Sequence, residues 1–471
     1  MDLPEQLALN AWDGHAVTGH VGADAPRFGS VAGLLLPERY LAPADAADGR
    51  DWRNENVGWG IVLRDRDDRS DASKARADNV SEPIRRLLEA RGDPPVLYYR
   101  PELGTERLFR YYADGSKSQQ LQVGLTPTGI GPGRVPQYLL IVGSPREIPW
   151  SLQYALNRTR CVGRIDLEPT GLERYVSALI DDWPASTATA DRAVVWTCDG
   201  PAGDILREMR QTVAAPSVSG LRSDPELSGN VVELAAGDAT IGRLLDNLRQ
   251  QNPALIITVS HGYTGQLGDQ ADMRHSLGSP VDQEHAIIDA ETLLARWLPD
   301  GAIWYAHACC SAGCDTGTQY DRLLDAGTHA HDVCTAVGML GAQTARLARE
   351  LLSAPRPLRA FVGHVEPTFD WTLRQPETRQ HLTRGLVGAL YPGLFRREPV
   401  GLAFTAHYKL VSELYSQVVK ARDSLDRGDQ SQRPALFRLR LTALDFQSIV
   451  ILGDPTVCLP PLHSQIPDDA A

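Results

Sequence analysis

The stretch Ala302-Ile303-Trp304-Tyr305-Ala306-His307-Ala308-Cys309-Cys310 decides the fold of this chain. An uninterrupted apolar run ending in polar residues is typical of a strand that is buried on both faces of a parallel sheet. A second apolar run, at 254–259, ends in Ser260-His261-Gly262. Ligands of open parallel sheets bind beyond the carboxyl ends of the strands, so we expect His261 and Cys309 to share one rim.

Short apolar runs alternate with segments of helical spacing along most of the chain. This alternation predicts an α/β fold with a mostly parallel sheet that is flanked by helices on both faces. We expect strands at 137–142, 192–197, 231–235, 254–259, 302–306, 358–362 and 448–452.

A glycine-rich breaker at 129–133 marks the first predicted boundary. Before it, strand-like pieces are separated by charged, Asp-rich stretches, which favours a small accessory domain with long loops. The predicted units are an N-terminal accessory domain at 1–130, a companion α/β subdomain at 134–235, a catalytic subdomain at 236–460 and a C-terminal tail at 461–471.

Composition excludes several classes of protein. A chain of 471 residues, 42% of them hydrophobic, buries a large core without disulfide bonds. The seven cysteines are an odd number without framework spacing, which favours a reducing compartment, and no run is long enough to span a membrane. The net charge of −12 without a basic patch disfavours nucleic acid. We therefore expect a cytoplasmic protein that binds neither nucleic acid nor membrane.

Cys309 and His261 are candidates for a nucleophile and a general acid. A thiolate attacks a peptide carbonyl readily, and the leaving amine needs a proton that an imidazole supplies near pH 7. Cys309 and His261 have these roles. Gly262 lets its backbone N–H approach the developing oxyanion, with the N–H of Cys309 as the second donor.

Several motifs together resemble the caspase, gingipain and legumain group of cysteine peptidases. In that group a strand ending in His-Gly precedes a strand ending in Ala-Cys by about 50 residues, and His261 and Cys309 are 48 positions apart. Further segments resemble the gingipain-type and CHAT-type bacterial branch, so that the likeness covers roughly 135–460. They are Tyr138-Leu139-Leu140-Ile141-Val142-Gly143 with Ile148-Pro149, Val162-Gly163-Arg164-Ile165, and Ile451-Leu452-Gly453-Asp454-Pro455-Thr456.

The resemblance implies a caspase-like fold and a cysteine endopeptidase without a cofactor, in which His261 and Cys309 are catalytic and Gly262 lies in the oxyanion hole. Bacterial relatives of this type often serve in defence or regulated cell death. We expect limited proteolysis of protein substrates rather than bulk digestion, since an unrestrained cytoplasmic protease would be harmful. An activating protease or a regulatory partner is compatible with this expectation. The alternative is a catalytically silent caspase-like protein that serves as a binding scaffold.

Substrate preference depends on three further residues. His307, two positions before Cys309, is expected to project toward the pocket for the residue before the scissile bond; several related families have Gln, Glu or Asp there. By resemblance to gingipain-like enzymes, Asp166 and Glu168 would recognise a basic substrate side chain or orient His261. We expect cleavage after a basic residue, with acidic and small neutral residues as the alternatives.

Two other interpretations of the cysteine region remain open. Cys310 is the rival nucleophile, although adjacent side chains of a strand point to opposite sides. A zinc site is the rival chemistry, although the usual Cys-x2-Cys spacing is missing. Its candidate ligands are His307, Cys309, Cys310, Cys314, His329, His331 and Cys334.

The segment 264–285 between the two predicted catalytic strands contains three glycines and a proline among polar residues. This composition predicts a long mobile loop beside the rim, suited to an activating cut or to partner docking. Arg274 is its only Arg or Lys, and we expect the cut there if the activating protease prefers basic side chains.

Overall fold

A computed structural model describes residues 4–23, 25, 47–66, 68–320 and 322–460. The predicted tail at 461–471 lies outside the described residues. The strands are β1 Gln6–Trp12, β2 Ala16–His20, β3 Trp59–Arg64, β4 Val96–Tyr99, β5 Arg107–Arg110, β6 Gln119–Gln122, β7 Tyr138–Val142, β8 Cys161–Ile165, β9 Thr189–Thr197, β10 Val231–Ala235, β11 Pro253–Val259, β12 Gly262–Tyr263, β13 Ser279–Pro280, β14 Ile303–His307, β15 Gly313–Cys314, β16 Gln343–Thr344, β17 Ala360–His364 and β18 Ile449–Gly453.

A mostly parallel sheet of 12 strands forms the centre of the protein, in the order β10-β9-β11-β14-β17-β18-β8-β7-β3-β4-β5-β6. β18 runs antiparallel to β17, and the edge strands β5 and β6 are also antiparallel to their neighbours. The predicted α/β class and all seven predicted strands are confirmed. β3 to β6, which precede residue 130, belong to the same sheet as the later strands, so the boundary predicted there falls between strands of one sheet.

Helices flank this sheet, and local sequence explains where they begin and end. In the helix Ile241–Gln251, the side chain of Thr240 accepts the N–H of Arg243, and Asn252 ends the helix in the left-handed conformation. The α-helices are Asp71–Ala75, Glu82–Ala90, Trp150–Asn157, Pro169–Ile180, Ile205–Met209, Ala215–Ser223, Ile241–Gln251, Gln270–Ser276, Ala290–Arg296, His329–Met339, Arg346–Leu352, Arg384–Gly388, Val400–Ala403, Thr405–Asp426 and Arg433–Gln447.

The two central strands β11 and β14 are buried along their whole length. Their apolar side chains pack on both faces of the sheet, which explains why both strands are continuous hydrophobic runs. A buried side-chain hydrogen bond joins the two strands: the indole Nε1 of Trp304 donates to Oγ1 of Thr258 at 2.9 Å. The pairing of the two strands places their carboxyl ends side by side.

A second, small sheet has the order β13-β12-β1-β2 and lies beyond the end of β11. Its strand β1 comes from the N-terminus and is buried over Leu7–Ala11, whose apolar side chains pack against the region around Cys309 and Cys310. β15 and β16 form a separate pair after β14. In the described part of the chain, every helix is too short or too polar to span a bilayer.

Candidate functional site

The carboxyl ends of β11 and β14 bring His261 and Cys309 to the same rim. The strands are parallel, with Val259 opposite His307. His261 and Cys309 each follow two residues after this pair, so the two backbones leave the sheet together. The predicted meeting of these two segments is therefore present in the structure.

Gly262 and Cys309 are in direct backbone contact. A Cβ built on Gly262 would lie 2.0 Å from the carbonyl oxygen of Cys309, closer than any side chain tolerates. Glycine is thus required at this position by the approach of the two chains. The contact places both predicted oxyanion donors, the N–H groups of Gly262 and Cys309, in one small region.

The imidazole of His261 is buried and has an acidic partner that the sequence did not indicate. Its Nε2 lies 3.2 Å from Oδ2 of Asp204, while its Nδ1 has no hydrogen-bond partner among the described residues. Burial pushes the pKa of Asp204 upward, but the hydrogen bond and charge of His261 outweigh burial and hold that pKa below its usual value. The contact with Asp204 therefore fixes the orientation of the ring.

Asp204 occupies the cap position of the helix Ile205–Met209, where its side chain also accepts the N–H of Leu206 at 2.8 Å. It follows β9, the neighbour of β11. An Asp between a buried strand and a helix is common as a plain cap, so this position carried no separate catalytic signal. The neighbouring carboxyl end in a parallel sheet was the available clue.

The two acidic residues expected near His261 lie elsewhere. Asp166 and Glu168 follow β8, which is four strand spacings from β11, or about 19 Å and more. Oδ2 of Asp166 accepts a hydrogen bond from Oγ1 of Thr344 at 2.9 Å. Glu168 is exposed at the start of the helix Pro169–Ile180. Neither residue is brought to the imidazole.

His307 lies inside the protein, within a chain of buried polar groups. Its Nδ1 is 2.5 Å from the hydroxyl of Tyr305 and 3.2 Å from Nε2 of His364. Burial lowers the pKa of His307 to about 3, so the ring is neutral at pH 7. The contacts of this ring are thus with the sheet interior, whereas the sequence led us to expect it in a substrate pocket.

The thiol of Cys309 is completely buried. Its Sγ accepts the backbone N–H of Thr368 at 3.3 Å, and burial raises its pKa well above the ordinary value. Cys310 is equally buried, has a raised thiol pKa for the same reason, and adopts a positive φ of 55°. In the closed arrangement described here, both thiols are protonated at neutral pH.

The loop predicted at 264–285 is interrupted by the helix Gln270–Ser276 and the short strand Ser279–Pro280, and the rest of the segment consists of turns and irregular chain. The side chain of Asp269 caps the helix Gln270–Ser276, and Met273 is buried beneath it. Capping and burial together stabilise a short helix that the glycines alone disfavour. Arg274 is exposed and donates to the carbonyl of Leu340 at 3.3 Å.

Among the described residues, no group of three or more His, Cys, Asp or Glu side chains is arranged to hold a metal ion. His329, one of the candidate ligands, instead lies 3.0 Å from Asp13. No protein-family model matches the chain, and no curated protein matches it.

Proposed function

We propose that this chain is a latent cysteine endopeptidase of the caspase-like type, with Cys309 as nucleophile and His261 as general acid and base. One observation carries the proposal. Adjacent parallel strands deliver a His-Gly and an Ala-Cys segment into backbone contact, while Asp204 contacts the imidazole at 3.2 Å. A thiol, an imidazole and an orienting carboxylate are the parts that acyl transfer needs.

The groups act in a fixed order. The imidazole of His261 takes the thiol proton, the sulfur of Cys309 bonds to the substrate carbonyl carbon, and the carbonyl oxygen becomes an oxyanion. The N–H groups of Gly262 and Cys309 stabilise that charge. The C–N bond then breaks as His261 gives its proton to the departing amine, and water hydrolyses the remaining thioester. Asp204 keeps the charged imidazole stable between the two proton transfers.

Latency follows from the burial of Cys309 and His261, since no substrate carbonyl reaches them in this arrangement. Opening by a protease or a regulatory partner agrees with limited proteolysis of protein substrates. We place the protein in the cytoplasm because all seven cysteines are free. Bacterial defence or regulated cell death is the setting we propose, on the resemblance alone.

The second candidate is a caspase-like binding or scaffold protein without turnover. The completely buried thiol, with its raised pKa, favours it, because a buried cysteine is usually an inert core residue. The two candidates differ in whether chemistry follows when the site is opened.

A peptide library incubated with the protein tests the choice. Both the native chain and the variant Leu9→Asp are used, because Leu9 of β1 is completely buried against the region around Cys309 and a carboxylate there should loosen this packing. Cleavage that disappears in Cys309→Ala, persists in Cys310→Ala and falls by about 10²- to 10⁴-fold in His261→Ala supports the peptidase. A site that reacts with a small thiol reagent at Cys309 but cleaves no peptide supports the scaffold.

A further inference from the structure

The N-terminal strand β1 lies across the rim where the two catalytic segments meet. It pairs in parallel with β12, with Ala11 opposite Gly262 and Trp12 opposite Tyr263. An isolated bridge also joins Leu9 to Phe369 in antiparallel orientation. β1 is therefore held between the segment after His261 and the segment after β17, as an extended peptide is held in a cleft.

The backbone of Asn10 is bonded to the nucleophile's own peptide group. The N–H of Cys309 donates to the carbonyl oxygen of Asn10 at 3.2 Å, and the N–H of Asn10 donates to the carbonyl of Thr368 at 3.1 Å. Thr368 in turn donates its N–H to Sγ of Cys309 at 3.3 Å. These three hydrogen bonds link Asn10, Thr368 and Cys309 in a ring beside the thiol.

The ladder between β1 and β12 directs a second donor to the same oxygen. The N–H of Thr264 donates to the carbonyl of Trp12 at 2.9 Å. In a parallel ladder the bonding residues alternate, so the N–H of Gly262 points toward the carbonyl of Asn10, two residues earlier on β1. An oxyanion hole offers this same pair of donors to the carbonyl that is attacked.

The end of β1 also covers the general acid. The indole of Trp12 stacks on His261 with ring centroids 5.5 Å apart and 28° between the planes. Its other neighbour is His285, at 4.3 Å. A single strand thereby covers the imidazole and occupies the oxyanion donors.

We propose that β1 is a built-in peptide ligand of this site, with Asn10 in the place of the residue that precedes the scissile bond. This inference rests on the proposed function and names the substrate class: extended peptide segments with a small, uncharged side chain at that place. While β1 is docked, the enzyme is silent. Release of β1 opens the cleft to a substrate strand of the same conformation.

The surroundings of the Asn10 side chain support the substrate class. The side chain is completely buried, and its Nδ2 donates to the backbone carbonyl of His307 at 3.4 Å. A basic side chain here would need a carboxylate partner, because burying an unpaired charge is costly. Asp166, the acid expected from sequence, is bonded to Thr344 instead. Neutral Asn carries no charge that needs such a partner, although its Oδ1 is buried without a hydrogen-bond partner among the described residues.

Apolar packing and a polar contact of Asp13 hold β1 and β2 in place. Leu7 and Leu9 are completely buried, and Gly19 of β2 packs so closely on Ala330 that a Cβ would lie 2.7 Å from it. Asp13, in the turn between the strands, lies 3.0 Å from Nε2 of His329. Leu7 and Leu9 lie in the same apolar cluster as Cys309. Weakening one of these contacts should loosen the hairpin without removing a proposed catalytic group.

The test compares Leu9→Asp with Thr18→Asp, a matched control that adds the same charge at an exposed position of β2. Labelling of Cys309 by iodoacetamide is measured by mass spectrometry, and hydrolysis is measured with fluorogenic peptides ending in Asn, Arg or Asp. We expect Leu9→Asp to raise labelling at least tenfold over the native chain and Thr18→Asp, and to cleave after Asn. A synthetic peptide of the sequence of β1 should reverse both effects.

The outcomes separate the two proposals. If Leu9→Asp raises the labelling of Cys309 but no peptide is hydrolysed, the proposal that β1 occupies the site stands and the proposal of a peptidase is overturned. Hydrolysis by the native chain as fast as by Leu9→Asp keeps the peptidase and overturns the occupant. Unchanged labelling in a folded Leu9→Asp protein also overturns the occupant, and cleavage only after Arg or Asp overturns the substrate class.

A locked variant decides the matter if Leu9→Asp does not fold. Trp12 and Tyr263 are paired and half-buried, so Trp12→Cys with Tyr263→Cys offers a disulfide that ties β1 to β12. We expect the oxidised form to label at Cys309 at least tenfold more slowly at 37 °C than the same protein after reduction and desalting. Equal rates in the two forms would overturn the inference.

Discussion

The carboxylate of Asp204 lies 3.2 Å from the imidazole of His261, and both side chains are almost completely buried. The two residues come from different loops, one before the helix Ile205–Met209 and one after β11. A polar contact that is shielded from water in this way is electrostatically stronger than one on the surface. Asp204 thereby extends the proposed pair of Cys309 and His261 to a triad.

Loss of that carboxylate should slow the proposed reaction. Asp204→Asn in the Leu9→Asp background is expected to lower peptide turnover roughly tenfold or more, because the charged imidazole loses its stabilising partner. Turnover is measured with the Asn-ending fluorogenic peptide. Asp246→Asn, which removes an exposed acid paired with Arg296, serves as the control and should leave turnover unchanged. Equal rates for the two variants would exclude a role for Asp204.

The close contact at Gly262 predicts a stability effect. Gly262→Ala forces a methyl group against the carbonyl of Cys309, and overpacking of this kind costs about 1–3 kcal/mol. Gly242→Ala, in the exposed first turn of the helix Ile241–Gln251, meets nothing within 4 Å and should instead stabilise the protein by up to about 1 kcal/mol. Urea unfolding of both variants checks the opposite signs, and a neutral Gly262→Ala would contradict the contact.

The buried His307 predicts how stability changes in acid. Burial lowers its folded-state pKa to about 3, while the unfolded side chain takes up a proton below its ordinary value of 6.5. Stability is therefore lost as the pH falls from 6.5 toward 3, by about 1.4 kcal/mol per pH unit for this one proton. In His307→Gln, the free energy of unfolding should fall less steeply with decreasing pH, by the contribution of one proton. The exposed variant His15→Gln should have the same pH dependence as the native chain. Identical slopes for all three would refute the assignment.

The buried Asp445 predicts a change of the opposite sign. Burial raises its pKa to about 7, and its Oδ2 accepts hydrogen bonds from the hydroxyl of Thr372 and the N–H of Phe369. Its contribution to stability is complete below the unfolded value of 3.8 and is lost as the pH rises through 7. Between pH 4 and pH 8, the free energy of unfolding of Asp445→Asn should rise relative to that of the native chain, by up to about 4 kcal/mol. Asp426→Asn, at an exposed position, is the control, and an equal pH response of the two would refute the prediction.

Much of the fold could be predicted from the sequence because burial on both faces of a sheet requires a continuous run of apolar residues. Each central strand is buried on both faces and is a continuous apolar run, so β11 and β14 were recognisable without any knowledge of their neighbours. The residues at their carboxyl ends, His261 and Cys309, followed from the same pattern. Side-chain environment was less predictable: alternation alone could not show that His307 bonds to Tyr305 and His364 in the interior.

The sequence by itself determined the α/β class, the strands of the sheet and the two segments that meet at its rim. Only the tertiary structure decided that Asp204 is the partner of His261 and that Asn10 lies on Cys309, about 300 residues away along the chain. The physical reason is the nature of these contacts. The contact at Asn10 is made by backbone N–H and C=O groups, which nearly every residue possesses, so no residue type marks it in advance. Such a contact exists only once the strands are placed side by side.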